Sequence, residues 1–360
     1  MIEMRSDTFT LPTPQMLSAM TQAALGDDVY GEDPTVNRLE ELAAGIVGKA
    51  AACLMPSGTM ANLAALLVHV PRGGKVLVGN ESDIYLYEAG GASVCGGIVY
   101  EPIPTQPDGT LAMDDLAVAL PPDPDDPQFA LPGLICVENT HNRMGGRVLS
   151  RAYLAQLRRF ADGHAIPVHM DGARIFNAAV AMGVGAEQLA AHADSIQFCL
   201  SKGLSAPIGS ILAGEADFVE KARRVRKMLG GGMRQAGVFA SAGQVALTSM
   251  IDRLAEDHAL AAQLAAGLAD VEGIDVDASA ITTNIVLFRV TAKELDDNSF
   301  LRAVRQRGLA IAEFGHGRIR AVTHRGLSAA DVSSAVAIVA DVVRELGRGR
   351  APLSESRNGR

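Results

Sequence analysis

Apolar positions along this chain follow two alternating rhythms. Short apolar runs read as buried strands at AACLMP (51–56), KVLVG (75–79), GLICVEN (133–139), PVHMD (167–171) and SIQFCLSK (195–202), and ASVCGGIVYEPIP (92–104) contains another. Between them lie amphipathic stretches at helical spacing, GTMANLAALLVHV (58–70) and 151–163. Ahead of these, residues 11–26 read as a helix opened at Pro12 and stopped near Gly26. Residues 35–48 read as a second helix, with Leu39, Leu42, Ala43 and Ile46 on one face and Gly48 at its end. The alternation of strand and helix predicts an α/β fold with a mostly parallel, doubly wound sheet.

The final third has a different pattern. A long helical segment (about 235–270) precedes two strands, NIVLFRV (284–290) and RIRAVTH (318–324), placed around a helix at 297–308 and followed by a helix at 328–346. PPDPDDPQ (121–128) is a surface loop by its prolines and acids, and 347–360 has the composition of a disordered tail. The expected organisation is an N-terminal arm and helix (1–30), a large ligand-binding domain (31–250), a small C-terminal α+β domain (251–346) and the tail (347–360).

Composition narrows the function classes. A chain of 360 residues that is 48% hydrophobic can bury a sizeable core. Its net charge of -9 argues against a sequence-wide nucleic-acid surface, so a small anionic ligand needs a local basic pocket. No apolar run approaches the ~20 residues that span a bilayer. Glu3, Arg5 and Asp7 deny the first residues the apolar centre of a signal peptide. Cys53, Cys95, Cys136 and Cys199 have neither metal-ligand spacing nor the look of a disulfide framework. They read as buried small hydrophobes in a reducing cytoplasm, with no metal expected.

Three local patterns carry chemistry. In PSGTMAN (56–62), Ser57, Gly58 and Thr59 offer N–H groups and hydroxyls at a helix N-terminus, a geometry that binds phosphate; plain packing of a strand–helix turn is the alternative. In HMDGAR (169–174), Asp171 stands at the carboxyl edge of the sheet, where it pairs with a protonated ring nitrogen or simply caps a helix. In LSKGLSAPIGS (200–210), Lys202 is either a surface lysine at a strand end or a buried amine able to form a Schiff base. Together and in this order they are the parts of a site for pyridoxal 5′-phosphate (PLP). PSGTMAN lacks the glycine–lysine pattern of a nucleotide-binding P-loop.

Longer segments add a resemblance. MRSDTFTLPTPQM (4–16), GDDVYGEDPTVNRLE (26–40), PSGTMAN, YEAGG (87–91), ENTHNRMGGRV (138–148), HMDGARIFNAA (169–179), CLSKGLSAPIGS (199–210) and RKMLGGGMRQAG (226–237) resemble the low-specificity L-threonine aldolases, in order and over about residues 3–345. These belong to the β-eliminating lyase group of fold-type I PLP enzymes. The resemblance implies a PLP-binding large domain with a small C-terminal domain, and retro-aldol cleavage of L-threonine, L-allo-threonine or a related β-hydroxy-α-amino acid to glycine and an aldehyde. It implies that Lys202 carries PLP, Asp171 faces the pyridine nitrogen and Arg174 lies near the ring's 3-oxygen and the substrate carboxylate. Ser57, Gly58 and Thr59 would hold the phosphate, helped by Arg234. Ser6 and Arg320 would bind the substrate α-carboxylate, Tyr87 would also meet the substrate, and His141 would lie near its β-hydroxyl. Tyr30 would line a site shared between subunits of a homotetramer built from dimers.

The chain departs from the family at Asp83, where a histidine normally stacks on the PLP face. Aspartate cannot stack, although it can serve as a base through a relaying water. The departure keeps a second activity open, an amino-acid racemase or another PLP reaction at Cα or Cβ on the same scaffold. Ser205, where the family often has glycine, is a smaller departure.

Overall fold

The computed structural model describes residues 1–292 and 295–346, so the expected tail at 347–360 lies outside the described residues. The chain forms two compact units. One holds residues 10–255, and the other joins the first nine residues to those from Glu256 onward.

The larger unit is built on one seven-stranded sheet. Its strands are β1 (Ala51–Met55), β2 (Lys75–Gly79), β3 (Val99–Ile103), β4 (Pro132–Glu138), β5 (Val168–Asp171), β6 (Ser195–Cys199) and β7 (Ser210–Gly214), in the order β1-β7-β6-β5-β4-β2-β3. The pairs β2/β3, β2/β4, β4/β5 and β5/β6 are parallel. β7 runs antiparallel to both β1 and β6. Strand β7 was not anticipated from the sequence. SILAG follows a run of small residues and carries little strand propensity of its own, so its pairing on both sides defines it.

Side chains alternate across this sheet. Val168 and Met170 of β5 and Ile196 and Phe198 of β6 enter the main core. Their neighbours His169, Asp171, Ser195 and Gln197 point to the opposite face and are nonetheless buried. That face is covered by the helix Gly58–His69, whose Ala61, Ala64 and Ala65 pack with Cys53, Met55, Leu212 and Phe218. Small residues let the helix approach the sheet closely. A Cβ on Gly58 would meet Cys199 Sγ at 3.0 Å, so a larger residue there would need Cys199 to give way by a few tenths of an ångström.

Two helical expectations need correction. The segment expected at 11–26 is helical only over Pro14–Thr21, because Thr13 caps it by accepting from Met16 N and Pro14 occupies the first turn. The long segment at 235–270 is two helices, Gly237–Ser249 and Leu254–Ala269. Met250 and Leu254 are both buried while Asp252 is exposed, and Leu254 N donating to Ile251 O closes the intervening turn.

The smaller unit has a four-stranded antiparallel sheet, ordered Ala312–Glu313, Ile319–Val322, Ile285–Val290 and Ile274–Asp275, with the helices Asp297–Gln306 and Ala329–Leu346. Phe300, Ile319 and Val332 lie in its core. The N-terminal residues belong to it because Ile2–Glu3 pairs in parallel with Leu309–Ala310 and Met4 is buried in the same core.

Candidate active site

The carboxyl ends of β5 and β6, the turn that opens the helix Gly58–His69 and the connection between β6 and β7 enclose a cavity of about 290 Å³. Carboxyl edges of parallel strands are where ligands bind in open α/β sheets. Ser57, Gly58, Thr59, Asp83, Tyr87, Asp171 and Lys202 all line this one space, although they are scattered over 146 positions of sequence (57 to 202).

Each is placed for a local reason. Ser57 caps the helix through its hydroxyl, which accepts from Met60 N at 3.2 Å. The N–H groups of Gly58 and Thr59 belong to the first turn and have no intrahelical acceptor. Lys202 sits in the tight β6–β7 connection. Leu200 N donates to Gly209 O, Ser205 N to Lys202 O, and Thr10 Oγ1 to Lys202 O at 2.7 Å. Ser205 adopts φ 66°, the left-handed conformation that glycine takes at no steric cost.

Asp171 is 3% exposed. Its Oδ1 accepts from Gln197 Nε2 and from Ala173 N, and its Oδ2 accepts from Asn62 Nδ2 at 2.9 Å. Burial pushes its carboxyl above the ordinary range and Asp83 adds to this; the Lys202 amine and the hydrogen bonds from Ala173 and Asn62 pull the other way.

Acids gather on one side of the cavity. Both oxygens of Asp83 accept from Asn142 Nδ2, at 3.1 and 3.2 Å, and Asp83 N donates to Glu138 Oε2. Glu138 is pushed well up, by burial first and then by Asp83 and Asp171. Glu88 is pushed well up by burial and by Asp171.

Other expected residues lie elsewhere in the larger unit. His141 is buried, with Nδ1 3.9 Å from Glu138 Oε1, and does not line the cavity. Arg174 is buried at the start of the helix Ile175–Met182 and does not line it either. Arg234 pairs with Asp27 at 2.9 Å, and Tyr30 is exposed. In the smaller unit, Arg320 donates to Arg5 O and its guanidinium lies 4.1 Å over the Phe314 ring; Ser6 Oγ accepts from Thr8 N.

A family model described as beta-eliminating lyase matches residues 3–291. The chain belongs to the beta-eliminating lyases. It is 42% identical over 338 residues to low-specificity L-threonine aldolase 1 of Arabidopsis thaliana, covering 92% of this chain and 93% of that one. It is 48% identical over 290 residues to the low specificity L-threonine aldolase of Escherichia coli K12, covering 81% and 85%. A threonine aldolase structure from Leishmania major superposes with a TM-score of 0.79 at 20% identity, over 95% of this chain and 99% of that one, which shows the shared fold.

Three residues of this beta-eliminating lyase were missed as site residues by sequence reasoning: Asn62, Glu88 and Gln197. One signal was present. Gln197 is a lone amide inside the apolar strand SIQFC, where a polar side chain needs a polar partner. Asn62 lies four residues beyond Gly58, one helical turn on, within the same quoted motif.

Proposed function

We propose that this chain is a PLP-dependent aldehyde-lyase that cleaves L-threonine, L-allo-threonine or a related β-hydroxy-α-amino acid to glycine and an aldehyde. One observation carries the reading: Lys202, Asp171, Gly58 and Thr59 line a single cavity. That donor set fits a phosphorylated pyridine aldehyde. It supplies an amine for the aldehyde, an anion for the ring nitrogen and a helix N-terminus for the phosphate.

When bound, the cofactor supplies an electron-accepting ring for the pair released from the breaking Cα–Cβ bond. The protein does the rest. Lys202 would hold the cofactor through its amine, and that amine, when free, would move a proton at Cα. Asp171 keeps a proton on the ring nitrogen. Asp83, fixed by Asn142, offers an acceptor for the β-hydroxyl proton directly or through water. Tyr87 borders the same space, and its hydroxyl accepts from Arg143 Nη1 at 2.5 Å. Ser6 and Arg320 are assigned to the substrate carboxylate, Arg174 to the 3-oxygen and the carboxylate, His141 to the β-hydroxyl, Arg234 to the phosphate and Tyr30 to a site shared between subunits of a homotetramer, all on the family resemblance. The positioning of Cα–Cβ selects which bond breaks.

The carboxylate of Asp83 favours one second reading. Without an aromatic ring at that position, the scaffold supports racemisation at Cα. Purified protein reconstituted with PLP is assayed with L-threonine, L-allo-threonine and L-phenylserine for aldehyde and glycine. Aldehyde from any of the three establishes the aldolase; loss of an α-deuteron without aldehyde favours the racemase or another PLP reaction at Cα, and appearance of the D-enantiomer separates the two.

A further inference from the structure

Behind the cavity, between the helix Gly58–His69 and strands β5 and β6, runs a buried line of polar side chains that the proposed chemistry does not use. Asn62 Nδ2 donates to Asp171 Oδ2 at 2.9 Å and to Glu88 Oε1 at 2.8 Å. His169 Nε2 lies 3.1 Å from Asn62 Oδ1, His169 Nδ1 lies 2.8 Å from Ser195 Oγ, and Ser195 Oγ lies 2.9 Å from His69 Nε2. Asn62 is 1% exposed, and His169 and Ser195 are fully buried. The line is built by repeat spacing. Asn62 and His69 are seven residues apart on one helix face, His169 and Asp171 share a face of β5, and Ser195 stands in register with His169.

The chemistry of the groups sets every proton. An ionised Asp171 only accepts, so Asn62 must turn its NH2 toward it and its oxygen toward His169. That oxygen needs a donor, so His169 carries its proton on Nε2 and leaves Nδ1 bare. Ser195 then donates its hydroxyl proton to Nδ1 and accepts from the Nε2 proton of His69. All four donors point toward Asp171. Burial keeps both rings neutral, as this pattern requires; His169 is lowered to about 3 and His69 to about 4. His69 also stacks on Phe218 at 4.7 Å, which fixes the far end.

We propose that His169, Ser195 and His69 are positioning residues that act through Asn62 to hold the Asp171 carboxylate oriented and ionised against the cofactor's ring nitrogen. The inference rests on the reading of Asp171 given above. Without this chain the Asn62 amide is free to turn over, which would present its oxygen to two carboxyls. Asp171 would then draw the ring proton onto itself, and the ring would lose its electron-accepting power. The charged and titratable groups facing Asp171 are Lys202 beyond β6, Asp83 and Glu88, Glu138 and Cys136 on β4, and His169 on its own strand.

The test compares His169→Leu, His169→Gln, Ser195→Ala and Asp171→Asn as holoenzymes reconstituted with PLP. The readouts are the PLP dissociation constant, the pH titration of the bound cofactor's visible band, and kcat and KM on L-threonine. His169→Leu is expected to weaken PLP binding and lower kcat by roughly tenfold each, to displace the visible-band titration and to leave KM within about twofold. His169→Gln keeps an N–H at the Nε2 position and is expected to recover most of the loss. Ser195→Ala, which removes one hydroxyl remote from the cavity, is expected to give a smaller change of the same sign, and it decides the question if His169→Leu does not fold. Glutamine as damaging as leucine in a folded holoenzyme, or Ser195→Ala with no change in any readout, overturns the proposal. If Asp171→Asn itself leaves affinity and spectrum unchanged, the reading of the site has failed; a collapse there with intact His169 variants refutes the relay alone.

Discussion

Gln197 and Asp171 stand side by side in register on the parallel strands β6 and β5, and the Gln197 amide donates to Asp171 Oδ1. A neighbouring strand thereby supplies one of the donors that fix this carboxylate, beside Ala173 N and Asn62. Rigid strands hold such a group more precisely than a surface segment does. Removing the donor should be costly because the carboxylate stays buried. Gln197→Leu is expected to weaken PLP affinity by roughly tenfold or more, the effect of losing a hydrogen bond of about 1.5–3 kcal/mol to a charged group. Fluorescence titration of apoenzyme with PLP measures it, and unchanged affinity counts against Asp171 as the cofactor's anchor.

Lys202→Ala is expected to abolish turnover and the visible absorbance of bound cofactor. Borohydride treatment followed by peptide mass spectrometry should find the pyridoxyl label on Lys202 in the parent protein and none in the variant. A label on another lysine would move the anchor.

Asp83 tests the departure from the family. Asp83→His is expected to raise kcat/KM on L-threonine by up to about tenfold, the range of a ring contact worth about 0.5–1.5 kcal/mol. No change or a fall would count against lost stacking as what limits the enzyme, and a fall would fit a role for the carboxylate held by Asn142.

Glu88 gives a pH dependence with a definite sign. Its carboxyl is held well above the ordinary 4.5 by burial and by Asp171. The folded protein therefore keeps a proton that the unfolded chain releases, and the group's contribution to stability falls as pH rises from the unfolded value toward the folded one. Glu88→Gln removes that penalty and can still accept from Asn62. The variant's gain in stability should be absent at pH 4 and grow toward neutrality, by about 1.4 kcal/mol for each pH unit between the unfolded and the folded pKa. Thermal unfolding of parent and variant from pH 4 to 8 measures the difference, and a constant difference across that range refutes the raised carboxyl.

Much of the fold was legible because it rests on local periodicity. Continuous apolar runs gave six of the seven strands of the large sheet; the helix at 151–163 matched its observed limits, and the helix at 58–70 ran one residue past its own. What failed was context. SILAG at 210–214 becomes a strand only between β1 and β6, and the helix at 235–270 breaks where Met250 and Leu254 must both turn inward.

The sequence by itself pointed to the parts proposed for the site. Lys202, Asp171 and the PSGTMAN turn were readable because each sits at a strand end whose type follows from local pattern. Only the tertiary structure decided their company. Asn62, Glu88 and Gln197 gather at Asp171 from a helix, the segment after β2 and a neighbouring strand, and no spacing along the chain encodes that meeting. The physical reason is the buried charge. A carboxylate taken from water must find its donors in three dimensions, wherever the packing of a helix on a sheet brings them within hydrogen-bond reach.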